Sequence, residues 1–223
     1  ISDASTSVNL NLTETVYTAT FQVDDASGAI EGSTINVAGE TLATDASGLA
    51  STDLTNGTYS FTAEADGYNS FTGELVISGA AVTKDVLLNV TTYPVSFTVT
   101  DANGALENVS ISIDGNNLTT NASGQASIDL PNGTYNYSVS LDGYENATGS
   151  VVVNDAGTTA DVTLQEVTYN LAFRVLQIDE ALEGATIAIE GQNLTTDASG
   201  EASLQLPAGT YSYTVNKGGY HEV

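Results

Sequence analysis

The chain has 223 residues, room for one large domain or about two or three small ones, and 41 % of them are hydrophobic, enough to build a core. Twenty-eight acidic residues face three basic ones, Lys84, Arg174 and Lys217, and the net charge of −25 makes nucleic acid and anionic lipid unsuitable partners. Cysteine is absent, which excludes disulfides, thiol nucleophiles and thiolate metal sites, and no apolar stretch approaches the roughly 18 residues that a spanning helix needs.

In chain order, the first element is Ser7-Val8-Asn9-Leu10-Asn11-Leu12, whose alternation predicts a strand with Val8, Leu10 and Leu12 on one face. From Tyr17 onward a single pattern runs three times. Tyr17, Tyr93 and Tyr169 stand 76 residues apart, and the same shift superposes Phe21, Phe97 and Phe173 without insertion or deletion. It also superposes the turns TDASG (44–48), TNASG (120–124) and TDASG (196–200), and the final DGY, DGY and GGY at Tyr68, Tyr144 and Tyr220. Period-two alternation, β-branched residues and Gly/Asn/Asp turns make every element a strand. In the second copy strands are predicted at 93–100, 109–114, 116–120, 125–130, 133–140, 148–154 and 158–166. Seven short strands imply two packed antiparallel sheets. The inward positions are Phe97, Ile111, Ile113, Leu118, Leu130, Tyr135, Tyr137, Val162 and Leu164. The expected fold is all-β: three tandem Ig-like, prealbumin-like sandwiches, joined by links of about four residues into a rod.

The stretch VTDANGALENVSISIDGNNLTTNASGQASIDLPNGTYNYSVSLDGY (99–144) resembles the carboxypeptidase regulatory-like, transthyretin-related domains, with kinship to the B-type repeats of Gram-positive surface adhesins. All three copies share the pattern. The resemblance implies an Ig-like sandwich used as a spacer, stalk, adhesin shaft or pilus subunit. It also implies a Lys–Asn isopeptide crosslink with the lysine in the first strand, but 17–24, 93–100 and 169–176 contain no lysine.

The copies are out of register with the chain. Ile1 aligns with Ile77 and Val153, so residues 1–14 read as the final strand of a preceding unit, followed by units at 15–90, 91–166 and 167–223, the last lacking its final strands. An incomplete sandwich exposes an apolar groove and unpaired edge groups. A strand donated by another molecule would bury its large side chains there at about 1.5–3 kcal/mol each. The expected function is therefore a structural subunit of an extracellular, pilus-like filament or surface stalk. Its expected partner is itself, head to tail, with Val8, Leu10 and Leu12 as the donor-strand anchors. The alternative is a window of a longer repeat-array adhesin or carbohydrate-binding surface protein.

Little in the chain suggests catalysis. His221, the only histidine, stands outside any motif, and no catalytic residue or cofactor is expected. Asp45, Asn121 and Asp197 recur once per copy, as turn-capping residues do. Calcium at the Asp24-Asp25, Asp101 or Asp45 loops is the weaker reading, because no spacing resembles an EF-hand. The sequon N-x-S/T occurs at Asn11, Asn56, Asn89, Asn108, Asn117, Asn121, Asn132, Asn136, Asn146 and Asn193. About four to five would arise by chance from this composition, so covalent glycans stand beside a simply polar surface as explanations.

Overall fold

A computed structural model describes residues 9–220, so Val8 and His221 lie outside the described residues. Every regular element in it is a strand. The chain divides into two compact units, Ile1–Tyr93 with Leu130–Asn132 and Pro94–Asp129 with Gly133–Val223.

The first unit contains β1 (Tyr17–Asp25), β2 (Gly28–Ala29), β3 (Thr34–Val37), β4 (Glu40–Ala43), β5 (Leu49–Leu54), β6 (Gly57–Glu64), β7 (Phe71–Ile77) and β8 (Val82–Leu87). β1 is flanked by β5 antiparallel and β8 parallel, with β2 pairing its far end. The other sheet has the order β4-β3-β6-β7, all antiparallel. Alternate residues of these strands meet between the sheets: Ala19, Phe21 and Val23 of β1, Ile35 and Val37 of β3, Phe61 and Ala63 of β6, Val86 and Leu88 at the end of β8. Phe21 and Phe61 touch with ring centroids 4.9 Å apart.

The second unit opens with β9 (Tyr93–Thr100), β10 (Ser110–Ile113), β11 (Asn116–Thr119), β12 (Gln125–Leu130), β13 (Gly133–Ser140), β14 (Ala147–Val153) and β15 (Thr158–Thr163). The pairing is the same: β12-β9-β15 with β15 parallel to β9, packed on β11-β10-β13-β14. The expected pair of antiparallel sheets is thus corrected: the sheet holding the first strand is mixed, because the last strand of the copy joins it in parallel. All seven strands stand where the sequence pattern puts them. Of the nine expected inward positions, six are buried and Leu118, Tyr135 and Tyr137 are half-buried. It continues with β16 (Thr168–Arg174), β17 (Leu176–Gln177), β18 (Glu180–Ala181), β19 (Thr186–Ile189), β20 (Gln192–Thr195), β21 (Glu201–Pro207) and β22 (Tyr213–Asn216). Here, among the described residues, β16 pairs β21 alone, and the second sheet has the order β20-β19-β22.

One buried hydroxyl organises each copy. Thr44 Oγ1 donates to the Ile30 carbonyl at 2.6 Å and accepts from the Ser33 amide at 2.8 Å. Thr120 does the same between Leu106 and Val109, and Thr196 between Leu182 and Ala185. The adjoining turn is held by Asp45, Asn121 or Asp197, whose Oδ1 accepts two backbone N–H groups. Each turn ends on a glycine at positive φ, Gly48, Gly124 or Gly200, where a Cβ would collide with the carbonyl of Val23, Val99 or Val175. These Asp and Asn side chains are thus occupied by turn hydrogen bonds, and no group of three or more metal-ligating side chains occurs among the described residues.

The hydroxyl position yields a paired prediction. Thr44→Ala strips partners from two buried backbone groups and should cost about 1–3 kcal/mol in denaturant unfolding. The Ser33 hydroxyl is buried without a partner, and valine and alanine stand at the matching positions 109 and 185. Ser33→Ala should therefore be neutral or stabilising; equal losses for the two variants would contradict the assignment.

Candidate functional site

The third strand set is where the pattern breaks. In the first two sets a parallel strand, β8 or β15, covers the far edge of β1 or β9. Among the described residues nothing takes that place beside β16. The consequence is read in burial. Ala19, Phe21 and Val23 are buried, as are Val95, Phe97 and Val99, but Leu171, Phe173 and Val175 are only half-buried. On the facing sheet Ala63 and Val139 are buried, while the matching Val215 is half-buried and Tyr213 is 53 % exposed.

These side chains line a groove of about 350 Å³, with Phe173, Val175, Leu182, Tyr213 and Val215 forming its apolar surface. Phe173 and Tyr213 meet edge-on at its floor, centroids 5.0 Å apart. Two of the chain's three cations, Arg174 and Lys217, border it. The Lys217 ammonium donates to the Glu183 carbonyl at 2.8 Å.

The groove has a counterpart in the described part of the opening segment. Leu10 and Leu12 are 85 % and 96 % exposed. Shifted by 76 residues they fall on Val86 and Leu88, each 2 % exposed, and by two such shifts on Val162 and Leu164. A pair of leucines that the repeat treats as core thus stands in water, and an apolar slot that the repeat fills stands open.

A second recurring constellation ties the end of each copy to its beginning. The Tyr68 hydroxyl donates to Asp25 Oδ2 at 2.7 Å, and Tyr144 donates to Asp101 Oδ2 at 2.9 Å. In the third copy Tyr220 donates to Gln177 Oε1 instead. The tyrosine hydroxyl, followed by the amides of Ser27 and Gly28, holds the Asp25 carboxyl below its usual range. Asp101 is lowered first by the Asn103 amide and then by Tyr144. Conversely, donation to Asp101 pushes the Tyr144 phenol up to about 12. The same residues draw the chain onward: a bridge pairs Tyr68 with Val90 and another pairs Tyr144 with Glu166. The DGY signature was legible in the sequence; its carboxylate partner 43 residues upstream was not, because the two meet only after the sandwich closes.

All ten sequon asparagines lie at exposed positions. Five of them fall into two kinds. Asn56 accepts from the Gly79 amide, and Asn121 from the amides of Ser123 and Gln125, so these two serve turns. Asn117, Asn136 and Asn193 occupy exposed positions on strands.

With this geometry in place, comparison with known proteins gives the class first: an all-β chain of Ig-like sandwiches. Residues 94–165 match the carboxypeptidase regulatory-like domain. No curated protein matches the sequence. Among solved structures, the chain is similar to the TIE protein of Bacillus anthracis, with 20 % identity and a TM-score of 0.70. That likeness covers 92 % of this chain and 46 % of the TIE protein, so the chain spans about half of that protein's length. Looser likenesses join it to the major pilin subunit BcpA of Bacillus cereus, at 12 % identity and a TM-score of 0.42. That match covers 91 % of this chain and 88 % of the pilin. The minor pilin GBS52 of Streptococcus agalactiae follows at 14 % identity and 0.32, covering 68 % and 96 %. These last two are too distant to carry an argument.

The tyrosine–aspartate lock gives a pH prediction of definite sign. A lowered carboxyl contributes stability that is full above its ordinary value of 3.8 and is lost as pH falls through the lower folded value. Tyr144 behaves oppositely: its contribution is full below 10 and is lost as pH rises through about 12. Absorbance titration should find one phenol ionising last, near pH 12, and Tyr144→Phe should remove that step. Loss of an earlier step instead would refute the pairing.

Proposed function

We propose that this chain is a structural element of an extracellular filament or surface stalk, in which the β16 groove accepts a final strand supplied from outside its own strand set. One observation carries the reading: among the described residues, β16 has an unpaired edge and half-buried Leu171, Phe173 and Val175 where both preceding first strands have a parallel partner and a sealed core. The fold likeness to the TIE protein agrees with a structural role. So does the scarcity of chemistry: an enzyme needs converging polar groups, and this groove is apolar.

The occupant we infer is residues 6–15 of a second copy. The register follows from the two filled examples. Ala19 pairs with Val82, Phe21 with Lys84 and Val23 with Val86 in the first set; Val95 pairs with Thr158, Phe97 with Ala160 and Val99 with Val162 in the second. The same offset sets Leu171 against Thr6, Phe173 against Val8, Arg174 against Asn9 and Val175 against Leu10. Leu10 and Leu12 then enter the core as Val86 and Leu88 do. Burying two such leucines is worth about 3–6 kcal/mol before ladder hydrogen bonds are counted. A head-to-tail contact of this kind does not close on itself, so it propagates into a filament. In a longer repeat-array adhesin, a following segment of the same chain would fill the groove in the identical register, and the leucines at 10 and 12 would serve another partner.

Cysteine pairing separates the two readings, since the natural chain has no cysteine to interfere. The variant carrying both Asn9→Cys and Arg174→Cys should, on mild oxidation, form a ladder of covalent multimers on denaturing gels. The pair Asn9→Cys with Thr168→Cys, out of register, should not. Monomers only, or equal ladders from both pairs, would reject donation in this register. Leu10→Asp with Leu12→Asp should abolish multimers in sedimentation while leaving the circular dichroism spectrum unchanged.

A further inference from the structure

The filament reading leaves the sequons unused, and their distribution among the three copies is not that of random asparagine. Position 41 is Thr, and position 43 is Ala; the matching pairs are Asn117 with Thr119 and Asn193 with Thr195. Both halves of the sequon are thus present together in two copies and absent together in the first. The second copy tells the same story by another route. Eight asparagines of the second copy stand where the first has another residue; Asn108, Asn117, Asn121, Asn136 and Asn146 open a sequon, and Asn103, Asn116 and Asn154 do not. Ser and Thr make up about a quarter of the chain, so asparagine placed without regard to what stands two residues later would open sequons less often than five times in eight.

The fold sorts these sites. Asn117 lies on β11 and Asn193 on β20, each the edge strand of its sheet, each with an exposed outward hydroxyl at Thr119 or Thr195. Asn117 pairs with Ser112, and Ser112 with Ser138, so all three share the outer face, and Asn136, two residues along β13, shares it too. Strand spacing and rise place Asn117 and Asn136 about 12 Å apart, room for two separate sugar attachments. That face is built mainly of Ser, Thr and Asn, with Val152 at one end and no charged side chain on the paired outward positions Ser110, Ser112, Asn136, Ser138, Thr148 and Ser150. No sequon falls on β16 or β22, the strands bordering the open groove.

We propose that Asn117, Asn136 and Asn193 carry N-linked glycans, with the outer face of the β11-β10-β13-β14 sheet as the main glycan-bearing surface. The modification is a transfer from a polyprenyl-phosphate-linked glycan. The bond from the sugar C1 to the phosphate oxygen breaks, C1 bonds to the asparagine Nδ2, one amide proton is released and the lipid phosphate departs. Bulky glycans on β11 and β20 overhang edges that would otherwise template strand addition, leaving the groove beside β16 clear.

The test is peptide mass spectrometry on the protein isolated from the cells that make it. Peptides containing Asn117, Asn136 and Asn193 should carry added mass in whole sugar units. The triple variant Asn117→Gln, Asn136→Gln and Asn193→Gln should lose it while keeping its β-sheet circular dichroism. Unmodified masses at Asn117 and Asn193 overturn the proposal, whatever the occupancy elsewhere. The readout is taken on peptides, so it stands whether or not the chain forms filaments.

Discussion

The parallel pairing between the last strand of a copy and its first strand is the contact on which the whole architecture turns. A sandwich of this size has one thin core, and the first strand runs through its middle. Where β8 or β15 lies alongside, Phe21 and Phe97 are sealed. Where no such strand lies alongside, Phe173 and its neighbours face a groove. The third set also has no described strand beside β22 in the place of β7 and β14, which bring Leu75, Ile77, Val151 and Val153 to the first two cores. The threonine hub, the Asx turn and the glycine that follows it are present in all three, so these local devices shape the loops, while closure of the core depends on the strands at the far end of the pattern.

That dependence makes the module suited to joining. A strand donated late in the sequence can come from the same copy or from elsewhere with no change in the acceptor. The surrounding charge sharpens the selectivity. With a net charge of −25, chance association between copies is opposed by repulsion, and the attractive element is confined to a short apolar slot bordered by Arg174 and Lys217. On the proposed reading, strand addition at this slot would use backbone hydrogen bonds and alternate side-chain pockets. The edge strands β7 and β14 instead turn mostly polar residues outward, Thr72 and Glu74 beside Val76, and Thr148 and Ser150 beside Val152.

Much of this was readable from the sequence because the repeat offers three samples of each position. Strand boundaries in the second copy fell within a residue or two, and for the last strand three, because turn glycines and alternating valines mark them unambiguously. What escaped was long-range and polar. Thr44, Thr120 and Thr196 look like ordinary turn threonines, yet they are buried because two backbone segments converge on them only in the folded state. The Asp25–Tyr68 bond spans 43 residues and has no local signature. Tyr135 and Tyr137, read as core, are half-buried, since a phenol needs its hydroxyl near a polar partner and so settles at the rim. Val8, the third donor anchor, lies outside the described residues.

Amide hydrogen exchange along β16 reports on the central claim without requiring a filament. In β1 and β9 both edges are paired, whereas β16 has β21 on one side only. In the isolated chain the amides of β16 that face away from β21 should exchange rapidly. A synthetic peptide of residues 6–15 should slow them, in the alternation set by the Phe173–Val8 register, and leave β9 unchanged. Slow exchange at those amides before the peptide is added, or no protection after it, would contradict the account.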